Sequence, residues 1–409
     1  MKTKISYEEA KEILESQNIA PLSKERVFLH ESLGRVLAED IFATQDMPEV
    51  ACSNMDGYAV YSKFLGLQTP FVILEENPAG NAKECVLPLD APYAIKTFTG
   101  ARIPQNADVL VPLEQVQVET KAQSQTLHLL EIPKVGQYIR EKGAHYKKGE
   151  NLLAKGMRLN ANHIGLLASL NRVFVEVYER AKVGILVSGN ELLEIGENAH
   201  DGANIYNANG HLLVAKVLEC GGIPKLYPIL KDQKEQVENR VSLALQECDL
   251  VVSSGGASVG DYDFITAFCK EHTSEVVFKG VSIKPGQHIS YAHFGGKQFF
   301  GLPGFPNSTL VTFELFVKEI LLRLNGTHLR QIMLEIPLVQ DVSKTDSRLE
   351  FRVCNVRNIK GKWTMDFEGK KDFQSAILNN FCPLDFAYNG LCILENAKKA
   401  GELVQVILL

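Results

Sequence analysis

None of the eight cysteines forms a Cys-x-x-Cys pair, and no Cys/His cluster has zinc-ligand spacing, so neither a disulfide framework nor a zinc module is indicated. Cys52, Cys85, Cys220, Cys248, Cys269, Cys354, Cys382 and Cys392 are expected to be buried free thiols in a reducing compartment. Positive charge is in short supply as well. With 43 Lys and Arg against 49 Asp and Glu the net charge is -6, which argues against a general nucleic-acid binder, since counterion release needs a basic surface. A local basic pocket for a small anion stays open. No apolar run approaches the ~20 residues that span a bilayer. The stretch "MKTKISYEEAKEILES" enters a charged amphipathic helix without the apolar core of a signal peptide, so the expectation is a cytoplasmic protein with no membrane partner. Also missing are G-x-x-x-x-G-K-[ST], H-E-x-x-H, and a G-x-G-x-x-G after the first strand of the α/β region. A nucleotide kinase and a dinucleotide-dependent dehydrogenase are thereby disfavoured.

What is present is ordinary globular composition, 45% hydrophobic and 22% charged over 409 residues, enough for two to four domains. Residues 182–326 alternate short β-branched runs with amphipathic helical segments. "KVGILVSG", "IPKLYPIL", "DLVVSS" and "KQFFGLP" read as strands. "NGHLLVAKVLECGG" reads as a helix with Asn209 near its start and Gly221 past its end. A second helix follows the capping-box spacing of Asp232 and Glu235, a third covers "DFITAFCKEH", and a long apolar one begins at Ser308. This alternation predicts a mostly parallel sheet with helices on both faces. Residues 68–135 read as a small β module flanked by helical segments at 6–18, 24–39 and 160–171, and beyond 327 short strands suggest a compact β barrel.

In an open parallel sheet ligands bind beyond the carboxyl ends of the strands. The loops there are "SGNEL" (188–192), "SSGGASVGDYD" (253–263), "KPG" (284–286) and "PGFPNS" (303–308). They supply bare glycine backbones, the hydroxyls of Ser253, Ser254, Ser258 and Ser308, the cation Lys284, and the carboxylates Glu191, Asp261 and Asp263. Such a set suits a phosphorylated ligand with Mg2+ held between carboxylate and phosphate oxygens. Gly256-Ala257-Ser258-Val259-Gly260 also matches the G-x-S-x-G of a hydrolase nucleophile elbow. An elbow serine opens a helix directly after a strand, whereas Ser258 stands four residues past Ser254 with Gly260 and Asp261 still to come. A phosphate-cradling turn is the favoured reading, with a serine hydrolase using Ser258 as the alternative.

Seven stretches occur in the order of one family: "SNMDGYAV" (53–60), "TGARIPQNAD" (99–108), "SGNEL", "SSGGASVGDYD", "IKPGQ" (283–287), "GLPGFPNS" (301–308) and "RLEF" (348–351). Over essentially its full length the chain resembles the molybdopterin molybdenumtransferases, the MoeA and gephyrin E-domain family. The resemblance implies insertion of molybdenum from molybdate into adenylylated molybdopterin, with Mg2+ present and AMP released. It implies a multidomain α+β and α/β fold: a split N-terminal domain (1–45 and 140–178), an inserted β domain (46–139), a three-layer α/β molybdopterin-binding domain (179–326) and a C-terminal β barrel (327–409). A homodimer is implied, its active cleft shared between subunits, together with a separate adenylylating protein and recipient molybdoenzymes. Carried over by position, Asp56, Thr99, Glu191 and Asp263 match acidic or hydroxyl residues of the family's cleft. Lys279, Lys284, Pro303 and Pro306 match further cleft positions. Ser254, Gly255, Gly256 and Asp261 lie on the loop that the resemblance makes one wall of the molybdopterin pocket, with Asp261 and Asp263 as metal ligands. Lys284, Ser308, Arg348 and Ser375 match positions associated with molybdate, where charge-assisted hydrogen bonds suit a tetrahedral oxyanion. A non-catalytic pterin-binding scaffold on the same fold is the second alternative.

Three stretches depart from the family pattern. Gln287-His288 stands where Lys-Pro is usual, Gly143-Ala144-His145 where Gly-Glu-Asp is usual, and Phe305 where a polar residue is usual. The first removes a cation beside the implied molybdate site, so restoring Lys at 287 is expected to tighten molybdate binding.

Overall fold

Strands buried on both faces read as near-continuous apolar runs, and three such runs build the centre of the larger of two compact units. In the computed structural model the structure describes residues 2–121, 124–198, 203–231, 233–255, 275–328, 330–344, 346–370, 378–382 and 387–409. The larger unit comprises Met1–Glu39, Gly156–Ala168 and Arg172–Leu409, and the smaller Asp40–Lys155 with Ser169–Asn171.

The larger unit holds a seven-stranded sheet. In chain order its strands are β1 (Lys2–Ile5), β2 (Lys182–Val187), β3 (Ile223–Leu226), β4 (Leu250–Ser254), β5 (Glu275–Val281), β6 (Ser290–Phe294) and β7 (Lys297–Leu302). Their spatial order is β1-β5-β6-β7-β4-β2-β3. Every pairing is parallel except the two made by β6, so β6 alone runs against the others. The side-chain alternation of a strand then sorts apolar residues onto two faces. Val183, Ile185, Val187, Leu250, Val252 and Phe300 pack with Leu213 and Val217 of helix Ala208–Glu219. Leu186, Val251 and Phe299 pack on the other side with Val237, Val241 and Ala244 of helix Lys234–Glu247. The three-layer α/β expectation is met.

Local signals explain the helix ends. The Asn207 side chain accepts from Gly210 N at 2.9 Å, and Gly221 at φ +80° turns the chain out of the same helix. The cap is therefore Asn207, two residues before the expected start at Asn209. The next helix begins at Lys234 behind Gln233, whose side chain makes no capping bond. Asp232, expected to cap it, lies outside the described residues, as does the expected helix over 263–272. The long apolar helix starts at Pro306 rather than Ser308, because proline suits the first helical position. It runs through Thr312, passes a π turn over Phe313–Val317 and continues over Lys318–Leu324.

Residues 24–39 do not form the expected helix. Lys24–Phe28 is a strand paired antiparallel with Phe174–Tyr178, Leu29–Ser32 makes one 3-10 turn, and Gly34 at φ +77° reverses the chain. Pairing with a strand distant in sequence overrides local propensity here. The helices Tyr7–Ser16 and Ala161–Ser169 are present. The first packs Ala10 and Leu14 into the core of the seven-stranded sheet.

C-terminal to the sheet, Leu349–Ile359, Tyr388–Leu394, Leu403–Leu408 and Ile332–Pro337 pair in succession, with Ile283–Lys284 and Lys362–Asp366 on Leu349–Ile359. They roll around one core that includes Ile336, Val356, Met365, Leu394 and Val406. Strands Ile332–Pro337 and Lys362–Asp366 come into contact, which gives the expected barrel-like form. The smaller unit contains a six-stranded sheet in the order Val109–Pro112, Gly57–Val60, Tyr93–Thr97, Phe71–Asn77, Ser124–Leu129, Val116–Lys121. Six described cysteines are buried; Cys382 is exposed, against expectation, and Cys269 lies outside the described residues.

Candidate active site

The carboxyl ends of β2, β4 and β7 meet through closely packed backbone, which at Gly255 leaves no room for a side chain. Gly255 stands at φ +86°, and a Cβ there would lie 2.5 Å from the Ser188 carbonyl oxygen. A Cβ on Gly304 would in turn touch the Gly255 Cα at 3.7 Å. The loops after three strands are thus brought to one place, as the rule for open parallel sheets predicts. Asn209 locks them together: its Nδ2 donates to Ser254 Oγ and to the Gly304 carbonyl, both at 2.8 Å. Thr309 Oγ1 donates to the Pro303 carbonyl at 2.6 Å. Sequence reasoning placed Asn209 only at a helix start and missed Thr309. Their signal was a polar residue on the sheet-facing side of each helix.

Ser254 is buried within this tie. Glu191 is exposed, and its carboxylate folds over Gly189, where a Cβ would come within 2.8 Å of both carboxylate oxygens. Its backbone carbonyl accepts from Ile205 N at 3.0 Å, which anchors the loop. Pro303 precedes the turn into the helix, Pro306 opens it, and Ser308 lies buried in its first turn. Phe305 is 60% exposed and occupies the cap position with no side-chain capping bond.

Beyond β5 the chain crosses into the barrel sheet, and this crossing gathers the cations. Ile283–Lys284 pairs in parallel with Leu349–Glu350, setting Lys284 beside Glu350 at 3.8 Å. Gly286 packs so tightly on the helix that a Cβ there would sit 2.5 Å from Thr312 Cγ2. Arg348 donates through Nη2 to Asp346 Oδ2 at 2.6 Å and through Nη1 to Gln287 Oε1 at 2.7 Å. The Arg348 bond holds the Asp346 carboxyl down at about 2. Glu350 also receives Arg352 at 2.8 Å. Asp346, Glu350 and the Gln287 contact were not foreseen; Asp-x-Arg within "TDSRLE" was the available signal. Lys279, on β5 opposite Ser290, is half-buried, and burial lowers its pKa.

In the smaller unit, strand pairing places Asp56 and Thr99 together. A Cβ on Gly57 would lie 2.2 Å from the Val111 carbonyl oxygen, so only glycine permits this strand approach directly after Asp56. Asp56 Oδ1 accepts from Thr99 N and from Thr99 Oγ1, both at 2.7 Å. These two bonds lower the Asp56 pKa, the backbone one more strongly. Both residues are exposed.

Gly256, Ser258, Asp261, Asp263 and Ser375 lie outside the described residues. Among the described residues no three His, Cys, Asp or Glu side chains gather to hold a metal ion. Mg2+ retains waters and needs only one or two carboxylates beside phosphate oxygens, so a strand-end set offering Glu191 fits that ion without forming a cage. Among the described residues no helix is long and apolar enough to cross a membrane.

Two family models match: the MoeA N-terminal region (domain I and II) over residues 5–171 and the probable molybdopterin binding domain over residues 184–323. The molybdopterin molybdenumtransferase of Staphylococcus epidermidis is 31% identical over 417 residues, covering 100% of this chain and 96% of that one. The chain belongs to the molybdopterin molybdenumtransferase family. The Haemophilus influenzae member is also 31% identical, over 92% of this chain and 93% of its own. The solved molybdopterin biosynthesis MoeA protein of Pyrococcus horikoshii superposes with a TM-score of 0.81 at 27% identity, over 99% of this chain and 100% of that one. The family's members are enzymes of molybdenum cofactor biosynthesis, which sets aside the scaffold and serine-hydrolase alternatives.

Proposed function

We propose that the chain transfers molybdenum from molybdate to adenylylated molybdopterin and releases AMP, with its site at the carboxyl edge of the seven-stranded sheet. The observation that carries this reading is the convergence of Gly255, Gly304, Ser254, Ser308 and Glu191 at one strand edge, with Lys284 on the adjoining crossing and Arg348 bonded to that crossing from just before strand Leu349–Ile359. The loops that these glycines allow to pack together would seat the phosphate-bearing pterin, while Lys284, Ser308 and Arg348 offer cations and a hydroxyl to the oxyanion. An oxygen of molybdate or water attacks the pterin-side phosphorus, the anhydride P–O bond breaks and AMP leaves with that bond's electrons. The two dithiolene sulfurs then bond to molybdenum as one Mo–O bond breaks, the displaced oxygen leaving as water with the two thiol protons or staying on the phosphate while those protons pass to solvent. Glu191, with Asp261 and Asp263, would hold Mg2+, which when bound supplies neutralising charge at the anhydride. The carry-over assigns Ser375 to the oxyanion and Gly256 to the pterin pocket, and counts Lys279, Pro303 and Pro306 among the further cleft positions. It also supports the four-domain division given above, a homodimer and a cytoplasmic location. In that dimer the Asp56–Thr99 pair of one subunit would complete the site of the other, supplied by a separate adenylylating protein and emptied by recipient apoenzymes.

The test is AMP release from adenylylated molybdopterin with and without molybdate. Asp56→Asn and Glu191→Gln are each expected to lower the molybdate-dependent rate by roughly 10²-fold, the scale of one positioned acid–base or electrostatic group, with folding unchanged by circular dichroism. Full activity in both variants would remove the assignment.

A further inference from the structure

Gln287 is set by its backbone before its side chain does anything. Its carbonyl accepts from Val281 N at 3.0 Å, closing the turn that carries Lys284, Pro285 and Gly286. Gly286, at φ +109° against Thr312, allows this turn to lie on the helix. From that fixed point Gln287 Oε1 reaches Arg348 Nη1 at 2.7 Å. Asp346 takes the other arm of the guanidinium at 2.6 Å and the Arg348 backbone N at 3.0 Å. A guanidinium only donates, so the amide of Gln287 has one possible orientation, Oε1 toward Arg348 and Nε2 away from it. That Nε2 has no hydrogen-bond partner among the described residues, and Gln287 is partly exposed.

The charges around it are nearly balanced. Lys284, Arg348 and Arg352 face Asp346 and Glu350, with Glu350 contacted by both Lys284 and Arg352. A lysine at 287 would have no acceptor for Arg348 and would set a second cation against it. The arrangement present holds Arg348 between an anion and a neutral acceptor, and turns a neutral donor outward.

We propose that Gln287 is a positioning residue for Arg348 in the oxyanion site and that its Nε2 donates to the same tetrahedral dianion. This rests on the reading of Lys284, Ser308 and Arg348 as that site. It also reverses the expectation drawn from sequence. A lysine at 287 weakens oxyanion binding in this chain, because the clamp on Arg348 is lost together with the donor.

Steady-state AMP release by the full chain tests the proposal, with molybdate and adenylylated molybdopterin varied separately. Gln287→Met and Gln287→Lys are each expected to raise the molybdate KM roughly tenfold, the effect of one hydrogen bond to a charged group. The KM for adenylylated molybdopterin and the rate at saturating molybdate should be unchanged, a split that general loosening of the fold would not give. Arg348→Ala serves as the parallel arm, and its molybdate KM should rise at least as much. A raised KM in Arg348→Ala with Gln287→Met unchanged, or a lowered KM in Gln287→Lys, overturns the positioning role alone. An unchanged molybdate KM in Arg348→Ala overturns the oxyanion-site reading beneath it.

Discussion

Thr99 makes two bonds to one oxygen of Asp56, and that asymmetry governs how the carboxylate titrates. Hydrogen bonds to the charged form favour it, so Asp56 remains ionised below its ordinary value of 3.8. A depressed folded-state pKa means the charged form is fully present above 3.8 and is lost only as pH falls through the lower folded value. Thr99→Val keeps the backbone donor and removes the hydroxyl. The acid limb of the pH–rate profile for AMP release is expected to move up toward the ordinary carboxylate value, with the rate at neutral pH falling less than in Asp56→Asn. A limb that does not move would separate Asp56 from the rate. The pairing was only half visible in the sequence. "MDGY" and "TGAR" offer turn residues at two distant places, and nothing local says that strands Gly57–Val60 and Tyr93–Thr97 bring them together.

Among elements, the strands of the parallel sheet were legible because burial on both faces leaves a simple apolar run, as in "KVGILV" and "KQFFGL". Less legible were elements whose partner is remote. β1 has only Ile5 buried and exists because it pairs with β5, and Lys24–Phe28 has only Val27 buried and pairs with Phe174–Tyr178. The helix that opens at Pro306 carries the clearest local conflict. Phe305 has extended backbone, φ -74° and ψ 130°, as a cap position should, yet its side chain makes no capping bond and is largely exposed. An asparagine there can accept from the first-turn N–H groups without moving the backbone. Phe305→Asn is expected to stabilise the chain by about 0.5–2 kcal/mol, read from the urea midpoint at constant m-value. An unchanged or lowered midpoint would mean that the phenyl ring makes a compensating contact. The Asn209 and Thr309 ties lie beyond any such local reading, since each joins a helix to a loop from a different strand.

For the whole molecule, the sequence motifs fall into two compact units, with Asp56 and Thr99 in Asp40–Lys155 and the strand-edge residues in the other unit. A homodimer whose sites each draw on both subunits makes a prediction that a self-contained chain does not. On the proposed reading, Asp56→Asn would disable the contribution of the smaller unit and Glu191→Gln that of the larger. In a shared-site dimer, a heterodimer of the two variants has one site carrying both lesions and one site carrying neither. Random exchange of equal amounts puts half the dimers in that form, so about a quarter of wild-type AMP release should return on mixing, as two-fold symmetry requires. If each chain completes its own site, every site in every mixture keeps one lesion and nothing is recovered. Light scattering of each variant alone establishes that the dimer persists, and mixing after mild dissociation and reassembly ensures exchange. Recovery near a quarter supports the shared cleft, and no recovery with verified exchange overturns it while leaving the strand-edge chemistry to be judged by the single variants.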